Sequence, residues 1–339
     1  MIYLMEKPYF SIIIPARTIT PQIVNNLLPA IASQSFDRFE VYSILDKMGS
    51  TDNKLKKKYP WLHIIEAKKN KRPGIKRDLC VEKSKGNILV FIDDDVTLSK
   101  NWLKNAHRIL ETKKSIVALG GPGILPPNVN YWEQIIDAML TTWLGSGQYT
   151  YRFKKQQARY VDDYPSMNLM IRKDIFLQAG GFDNGYWPGE DSKLLEKITK
   201  KSGGYVYYHP DVLVYHHRRN TLYEHLQQYK NYGKTRGLFA AQGDANSKHL
   251  IYRIPSVFLI YCFVGIIIFF LVPSMLNMAI LPLLVYGGIL SYIFLKTSIS
   301  TESIAIGLGT VLIIPITHIT YGLWYMIGYT KKIMKIFNL

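Results

Sequence analysis

The chain has 339 residues, 48% of them hydrophobic and 20% charged, with a formal charge of +17. That length supports one large domain, or a domain with an appendage, and the charge points to a polyanionic partner: nucleic acid, an anionic membrane surface or a phosphorylated substrate. Two cysteines, Cys80 in polar text and Cys262 in an apolar run, exclude a disulfide framework and fit a reducing compartment.

The opening text "MIYLMEKPYFSIIIPA" lacks the basic start of a signal peptide, so its apolar stretch reads as a first strand closed by Pro15. "TPQIVNNLLPAIASQ" carries Ile23, Leu27 and Ile31 at helical spacing, with Thr20 as cap and Pro21 in the first turn. "FEVYSILD" and "WLHIIEA" read as the second and third strands. "GIKRDLCVEKSKG" reads as a short helix ended by Gly86. "NILVFIDDD" is a fourth strand, "KNWLKNAHRILET" a helix and "SIVALGGPGI" a fifth strand. Strands separated by short helices predict an α/β, doubly wound sheet.

In such sheets ligands bind beyond the carboxyl ends of the strands. The three acids of "FIDDDV" emerge at such an end. Side chains alternate there, so Asp93 and Asp95 share one direction and Asp94 takes the other. Two carboxylates aimed at one point make a cation site of hard oxygen ligands, suited to Mg²⁺ or Mn²⁺. The competing reading is a solvated acidic loop.

The C-terminal text is of another kind. No charged residue occurs from Ile254 to Leu295, and "IPSVFLIYCFVGIIIFFLV" is long enough for a bilayer at roughly 20 residues per span. Pro273, Ser274 and Asn277 predict a turn. Arg253 and Lys296 flank the resulting hairpin on one side, as the positive-inside rule expects. A third run, from Ser303 to Thr330, ends in Lys331, Lys332 and Lys335. Three full spans would put those lysines opposite Arg253, so a bend at Pro315 or a re-entrant segment is expected. Candidate spans are 254–272, 278–295 and 304–329.

Six motifs in order resemble the family-2 glycosyltransferases, inverting enzymes of the GT-A fold. They are "SIIIPAR", "ILDKMGSTD", "FIDDDV", "NLMIRKDIFLQAGGFD", "GEDSKL" and "VLVYHH". The likeness covers roughly residues 9–235. It implies a GT-A (Rossmann-like, doubly wound mixed sheet) domain over 1–220, interfacial amphipathic helices over 221–252 and a transmembrane region over 253–339. Two departures stand out. Lys47 and Met48 follow Asp46 where acids are usual. The Gln-x-x-Arg-Trp motif of processive synthases is met only by Gln228 to Tyr232, with Asn231 for Arg and Tyr232 for Trp.

The resemblance implies roles for particular residues. Pro15, Ala16 and Arg17 border the nucleotide, and Asp93-x-Asp95 is the metal motif. Asp191 is the general base with Glu190 beside it, and one of His216 and His217 lies near the metal. Chemistry reads the same way. A diphosphate leaving group needs charge neutralisation, and an attacking hydroxyl needs a carboxylate to take its proton. Asp46 ends the second strand, where it could meet base or ribose, and Asp93 or Asp94 could border the donor. Lys76 and Arg77 could meet base or diphosphate; a solvated helix face is an equal account of each alone. Glu190 and Asp191 also suit a helix N-terminus as caps. Asp162 and Asp163 are further acceptor-side acids, and Trp143 and Trp187 could stack on sugars. The expected enzyme is a hexosyltransferase at the cell membrane, multi-pass, with a cytoplasmic catalytic domain. It would use Mn²⁺ or Mg²⁺, a GDP- or UDP-sugar (first guess GDP-mannose) and a lipid-linked acceptor, with membrane lipids and no nucleic acid as other partners. The alternatives are a polyprenyl-phosphate sugar synthase using a UDP-sugar, an inactive nucleotide-sugar-binding membrane protein, and a basic nucleic-acid-binding protein supported by charge alone.

Overall fold

The computed structural model describes residues 7–49, 52–67, 72–182, 185–271, 274 and 276–336. Pro273 of the expected turn, and Ser50, Thr51 and Asp183 of the family-like motifs, lie outside the described residues. The strands are β1 (Phe10–Pro15), β2 (Phe39–Leu45), β3 (Leu62–Glu66), β4 (Ile88–Ile92), β5 (Val96–Leu98), β6 (Ile116–Gly120), β7 (Gly123–Ile124), β8 (Arg159–Val161), β9 (Asn168–Arg172), β10 (Tyr205–Tyr208) and β11 (Val214–His216). The helices are α1 (Leu28–Ala32), α2 (Asp52–Lys58), α3 (Pro73–Val81), α4 (Trp102–Thr112), α5 (Tyr131–Leu140), α6 (Trp143–Ser146), α7 (Lys173–Ala179), α8 (Glu190–Ser202), α9 (Leu222–Gln242), α10 (Ile254–Leu271), α11 (Leu276–Ser300) and α12 (Ile304–Ile336). The chain divides into two compact units: residues 1–126 with 154–217, and residues 127–153 with 218–339.

The first unit is built on an eight-stranded mixed sheet of order β3-β2-β1-β4-β9-β6-β10-β8. The five strands expected from apolar runs are β1, β2, β3, β4 and β6. The first four pair in parallel. β1, β4 and β6 are buried at every residue, as befits strands covered on both faces. Their side chains join Trp102 and Leu103 of α4 in one core. Each fully buried aliphatic side chain there contributes roughly 1.5–3 kcal/mol. β9 enters antiparallel between β4 and β6, and β8 closes an edge antiparallel to β10. A second, three-stranded sheet has the order β5-β11-β7.

Gly86 has a different role from the expected helix stop, since α3 ends at Val81. A Cβ at Gly86 would lie 2.7 Å from the Phe10 carbonyl carbon and 2.6 Å from Ser11 Oγ. The Gly86 N–H donates to that hydroxyl at 2.8 Å. The glycine permits the chain to press against β1 just before β4 begins.

Among the described residues the second unit contains three helices long and apolar enough to cross a membrane: Ile254–Leu271, Ile280–Ser300 and Ile304–Lys331. Only 6% and 11% of the first two windows are buried, against 39% of the third. The difference arises because α9 packs along α12. Gly233 and Gly237 of α9 bring its backbone onto α12: a Cβ at either would lie 2.5 Å and 2.0 Å from the carbonyl oxygens of Tyr321 and Tyr325. This small-xxx-small spacing is the device that lets helix backbones approach closely. His225 is buried at the same interface, its Nε2 2.9 Å from Thr317 Oγ1. α12 is one continuous helix with Pro315, the site of the expected bend or re-entrant turn, inside it. α5, started by an Asn130–Glu133 capping box, adds Ile135, Ile136 and Met139 to a cluster with Ile293, Ile306 and Ile313.

Two outcomes follow for the α9–α12 contact. Gly237→Ala should destabilise the detergent-solubilised protein by the roughly 1–3 kcal/mol of an overpacked site. Gly287→Ala, where a Cβ meets nothing within 4 Å, should not; a thermal melt of both variants reads the contrast. The second concerns pH. Burial, and then Arg219, pushes the His225 imidazole down to about 4 from 6.5. The neutral ring is therefore favoured in the folded state. Its contribution to stability is complete above about pH 6.5 and is lost as pH falls toward 4. Melting temperatures of wild type and His225→Gln between pH 7.5 and 5 should converge at the acidic end; parallel curves would remove this group as the cause.

Candidate active site

The site lies in the first unit, at the carboxyl end of β4. Ile92 ends the buried strand and Asp93, Asp94 and Asp95 follow, each half-buried. One oxygen of Asp93, one of Asp95 and a ring nitrogen of His216 lie within 4.8 Å of one another. The His216 Nε2 to Asp95 Oδ1 distance is 3.3 Å. Strand register places the imidazole: β11 pairs antiparallel with β5 so that His216 stands opposite Val96, the residue after Asp95. His217, its neighbour, is not in this group among the described residues.

Arg77 projects from α3 into the same cluster and is 2% exposed. Its Nη2 donates to Asp93 Oδ1 at 2.9 Å and its Nη1 to Glu190 Oε1 at 3.3 Å. Its guanidinium also lies 5.4 Å from the centre of the Phe182 ring. Glu190 opens α8 after Gly189, whose φ of 109° is a conformation glycine adopts without strain. Burial, then the neighbouring Asp191, holds the Glu190 carboxyl above its ordinary value, opposed by Arg77. Burial also raises Asp93 against the pull of Arg77. Asp94 is pushed up to about 6 by burial and by Asp95 and Asp93.

Asp191 is held by backbone. The Ser166 N–H donates to its Oδ2 at 3.1 Å and the Ser192 N–H to its Oδ1 at 2.8 Å. Each carboxylate oxygen keeps a further lone pair. The buried Asp163 accepts from Ser192 Oγ at 2.9 Å, so it supports the first turn of α8. Asp162 is half-buried, and Trp187 is exposed near the start of α8. Trp143, in the second unit, is also exposed.

At the ends of β1 and β2 a second charged pair forms. The Lys76 ammonium, 4% exposed, lies 2.7 Å from Asp46 Oδ1 and donates to the Ala16 carbonyl at 2.6 Å. The Arg17 carbonyl accepts from the Asp46 N–H at 3.0 Å, while the Arg17 side chain is exposed. Pro15 is the last residue of β1. Adjacent positions on α3 therefore diverge: Lys76 serves the β1–β2 end and Arg77 the acids after β4.

One residue escaped the sequence reading. Asn168, at the start of β9, is fully buried. Its amide donates to the Gly121 carbonyl at 2.7 Å and the Val212 carbonyl at 2.8 Å, and its Oδ1 accepts from Trp102 Nε1 at 3.1 Å. It joins β4, the end of β6 and the approach to β11, and so fixes the frame on which Asp95 and His216 meet. An amide directly before the apolar run Leu169–Ile171 was the available signal.

The donor set fits a divalent ion: two carboxylates and an imidazole converge, with the buried Arg77 paired to Asp93. An enclosed acid beside these donors can take a proton from an attacking group.

Comparisons with known proteins agree with this architecture. Over 190 residues the chain is 22% identical to the glucosyl-dolichyl phosphate glucuronosyltransferase of Haloferax volcanii, covering 54% of this chain and 55% of that protein. The chain thus spans about half the length of this curated relative. The structure of the mannosyltransferase PcManGT from Pyrobaculum calidifontis, in complex with GDP-Man and Mn²⁺, matches with a TM-score of 0.57 at 13% identity. The match covers 94% of this chain and 88% of that one, and shows a shared GT-A fold. TarS from S. aureus matches at a TM-score of 0.45 and 18% identity, over 65% of this chain and 38% of that one. Residues 11–178, which run from β1 through β9 into α7 and include Lys76, Arg77, Asp93 and Asp95, match the family described as glycosyl transferase family 2, so the chain carries a family-2 glycosyltransferase domain.

Proposed function

We propose that the protein is a metal-dependent inverting glycosyltransferase that moves a sugar from a nucleotide donor to a lipid-linked acceptor, with Asp191 as general base. The observation that carries the reading is the meeting of three features in one unit. These are the Asp93–Asp95–His216 donor set, the backbone-held carboxylate of Asp191, and the Arg77 bridge joining Asp93 to Glu190 beside it.

Asp93, Asp95 and His216 would hold Mn²⁺ or Mg²⁺, which supplies positive charge against a diphosphate leaving group. The remaining steps belong to the chain. Lys76 and Asp46, locked together at the ends of β1 and β2, border the nucleotide end, with Pro15, Ala16 and Arg17 as the adjoining backbone. Arg77 is bound on both sides by acids, which supports a positioning role rather than direct contact with phosphate. Asp191 takes the proton of the acceptor hydroxyl as that oxygen bonds to the anomeric carbon and the carbon–phosphate oxygen bond breaks. One displacement on an α-linked donor gives a β-linked product.

The lipid-linked acceptor is supported by the three apolar helices and by the similarity to a protein named for a dolichyl phosphate substrate. GDP-mannose is the first donor to test. The same arguments favour a membrane enzyme with its catalytic unit on the cytoplasmic side, where nucleotide sugars are found. A UDP-sugar-using polyprenyl-phosphate synthase would use the same groups and would differ only in donor and acceptor.

The test of the base is Asp191→Asn. The amide cannot take the acceptor's proton, so turnover should fall by at least the roughly 10²–10⁴-fold attributed to general-base catalysis. Donor affinity, read by calorimetry, should stay near wild type. The Asn nitrogen would also face one of the two backbone N–H groups, so a stability loss of roughly 1–3 kcal/mol is expected in parallel. An unchanged rate would sink the assignment and move attention to Glu190.

For the metal, Asp95→Ala should abolish the Mn²⁺-dependent part of nucleotide binding, measured by titrating GDP and UDP with and without EDTA. Equal nucleotide affinity in both variants and both buffers would remove the ion from the mechanism.

A further inference from the structure

The contacts of α12 conflict with its length as a span. If α12 crossed a bilayer over Ile304–Lys331, its midpoint would fall near Thr317, and hydrocarbon roughly 30 Å thick would reach about ten residues to either side. His225 of α9 meets that midpoint, its Nε2 2.9 Å from Thr317 Oγ1, and the exposed Glu224 precedes it in the chain. Farther along α12, Gly322 meets the first turn of α10. A Cβ there would lie 2.5 Å from the Pro255 carbonyl oxygen, and Ser256 Oγ donates to the Gly322 carbonyl at 3.0 Å. At 1.5 Å per residue this contact is only about 8 Å from the midpoint. Glu224, and the exposed Arg253 just before α10, would then lie in hydrocarbon, where an ionised side chain is costly. α10 would also begin well inside the bilayer that it is long enough to cross.

Polar helices accompany α12 along most of its length. Near one end, a Cβ at Gly309 would lie 2.5 Å from Ile135 of α5, two residues before Asp137. That carboxylate accepts from Arg218 Nε at 2.9 Å and Nη2 at 2.7 Å. Near the other end, the Lys230 ammonium of α9 lies over the Trp324 ring, and Gly328 meets the Lys234 carbonyl. The two sides of α12 differ sharply. Ile304, Leu308, Leu312, Ile316, Ile319 and Leu323 are 41–72% exposed. Their spacing of three or four residues makes them a single stripe. Thr310, Ile313, Ile314 and Thr317, on the opposite side, are buried. The residues that α9 exposes are Tyr223, Glu224, Asn231, Tyr232 and Gln242, none of them aliphatic.

We infer that α12 lies along the membrane surface and does not cross the bilayer, with the Ile304–Leu323 stripe in the hydrocarbon of one leaflet and α9 on its aqueous side. A helix with one aliphatic face and one face covered by polar neighbours is stable at that boundary. Lipid is the partner because the stripe continues into α10, which leaves α12 at Gly322, has no charged residue and is 6% buried over its apolar window. α11 returns along α12, from the Tyr286 hydroxyl on His318 to Ser298 beside Gly307, so deeper insertion is left to α10 and the first part of α11. The arrangement keeps Arg253 and Lys331 on one side of the membrane, which three full spans would not. It concerns the second unit alone and does not depend on the transfer chemistry proposed for the first.

Spin-label depth on the full chain in phospholipid nanodiscs tests it. Ile304→Cys, Ile316→Cys and Leu323→Cys are made one at a time with Cys262→Ser. Cys80 is fully buried, so Cys262→Ser alone should take no label. Collision with oxygen, set against collision with a water-soluble nickel chelate, reads the depth. An α12 in the membrane plane places the three labels within about 5 Å of one depth, one helical turn. A spanning α12 places the label at Ile316 about 15 Å deeper than the one at Ile304, half the hydrocarbon thickness. A difference above about 10 Å between those two labels therefore overturns the inference. Asn231→Cys, on the exposed side of α9, is the reference for water. Nickel access to the three stripe labels equal to access at that position would place the stripe outside lipid and overturn it as well.

Discussion

Arg77 makes the interaction on which the geometry of the candidate site depends. Its guanidinium joins Asp93, from the end of β4, to Glu190, from the first turn of α8. Removing one partner from a buried ion pair costs about 3–5 kcal/mol, because the remaining charge stays out of water. Three segments distant in sequence are therefore held to one another by a single side chain. Asp191 follows Glu190 on the same helix, so the bridge also fixes where that carboxylate can sit. The start of α8 has its own restraint in Gly189, and the two backbone N–H groups on Asp191 complete it.

The charge balance around this bridge is the opposite of the balance of the chain. The protein has 42 Lys and Arg against 25 Asp and Glu. Yet Asp93, Asp94, Asp95, Glu190 and Asp191 gather in one region, with Arg77 the cation bound to them among the described residues. Two carboxylates within about 5 Å repel by roughly 3 kcal/mol at an effective dielectric of about 20. Burial adds to this, which is why Asp93, Asp94 and Glu190 all hold their protons more tightly than free carboxyls do. A lysine could relieve the strain, but Lys76 is committed to Asp46 and the Ala16 carbonyl. A surplus of negative charge of this kind is what the proposed divalent ion would offset.

Much of this frame was legible in the sequence, for a physical reason. β1 and β4 are continuous apolar runs because parallel central strands are covered on both faces, and the acids after β4 stand out against them. β9 was not legible. "NLMIR" has one β-branched residue and a polar residue at each end, and its strand state comes from the slot between β4 and β6. The short strands β5, β7 and β11 carry no periodic signal at two or three residues each. For that reason the choice between His216 and His217 could not be made from text: it is the pairing of His216 with Val96 that turns one imidazole toward Asp95. Residues 127–153 belong with the C-terminal helices. Their apolar positions, Ile135, Ile136 and Met139, find partners more than 150 residues away on α11 and α12, beyond any local pattern.

The C-terminal unit answers a question its composition raises. α9 carries Lys230, Lys234 and Arg236, while α12 is apolar along its candidate span, and such helices have little reason to pair through side chains. Backbone contact removes the difficulty. Gly233 and Gly237 bring α9 onto the Tyr321 and Tyr325 carbonyls, and Gly328 of α12 meets the Lys234 carbonyl from the other side. Lys230 stays half-buried at this contact, its ammonium 4.2 Å from the centre of the Trp324 ring of α12. A helix that is basic outside and glycine-flat inside can lie against an apolar helix at the level of the headgroups without burying charge in hydrocarbon. The glycines, rather than the lysines, are thus what let this basic helix pack on its apolar neighbour.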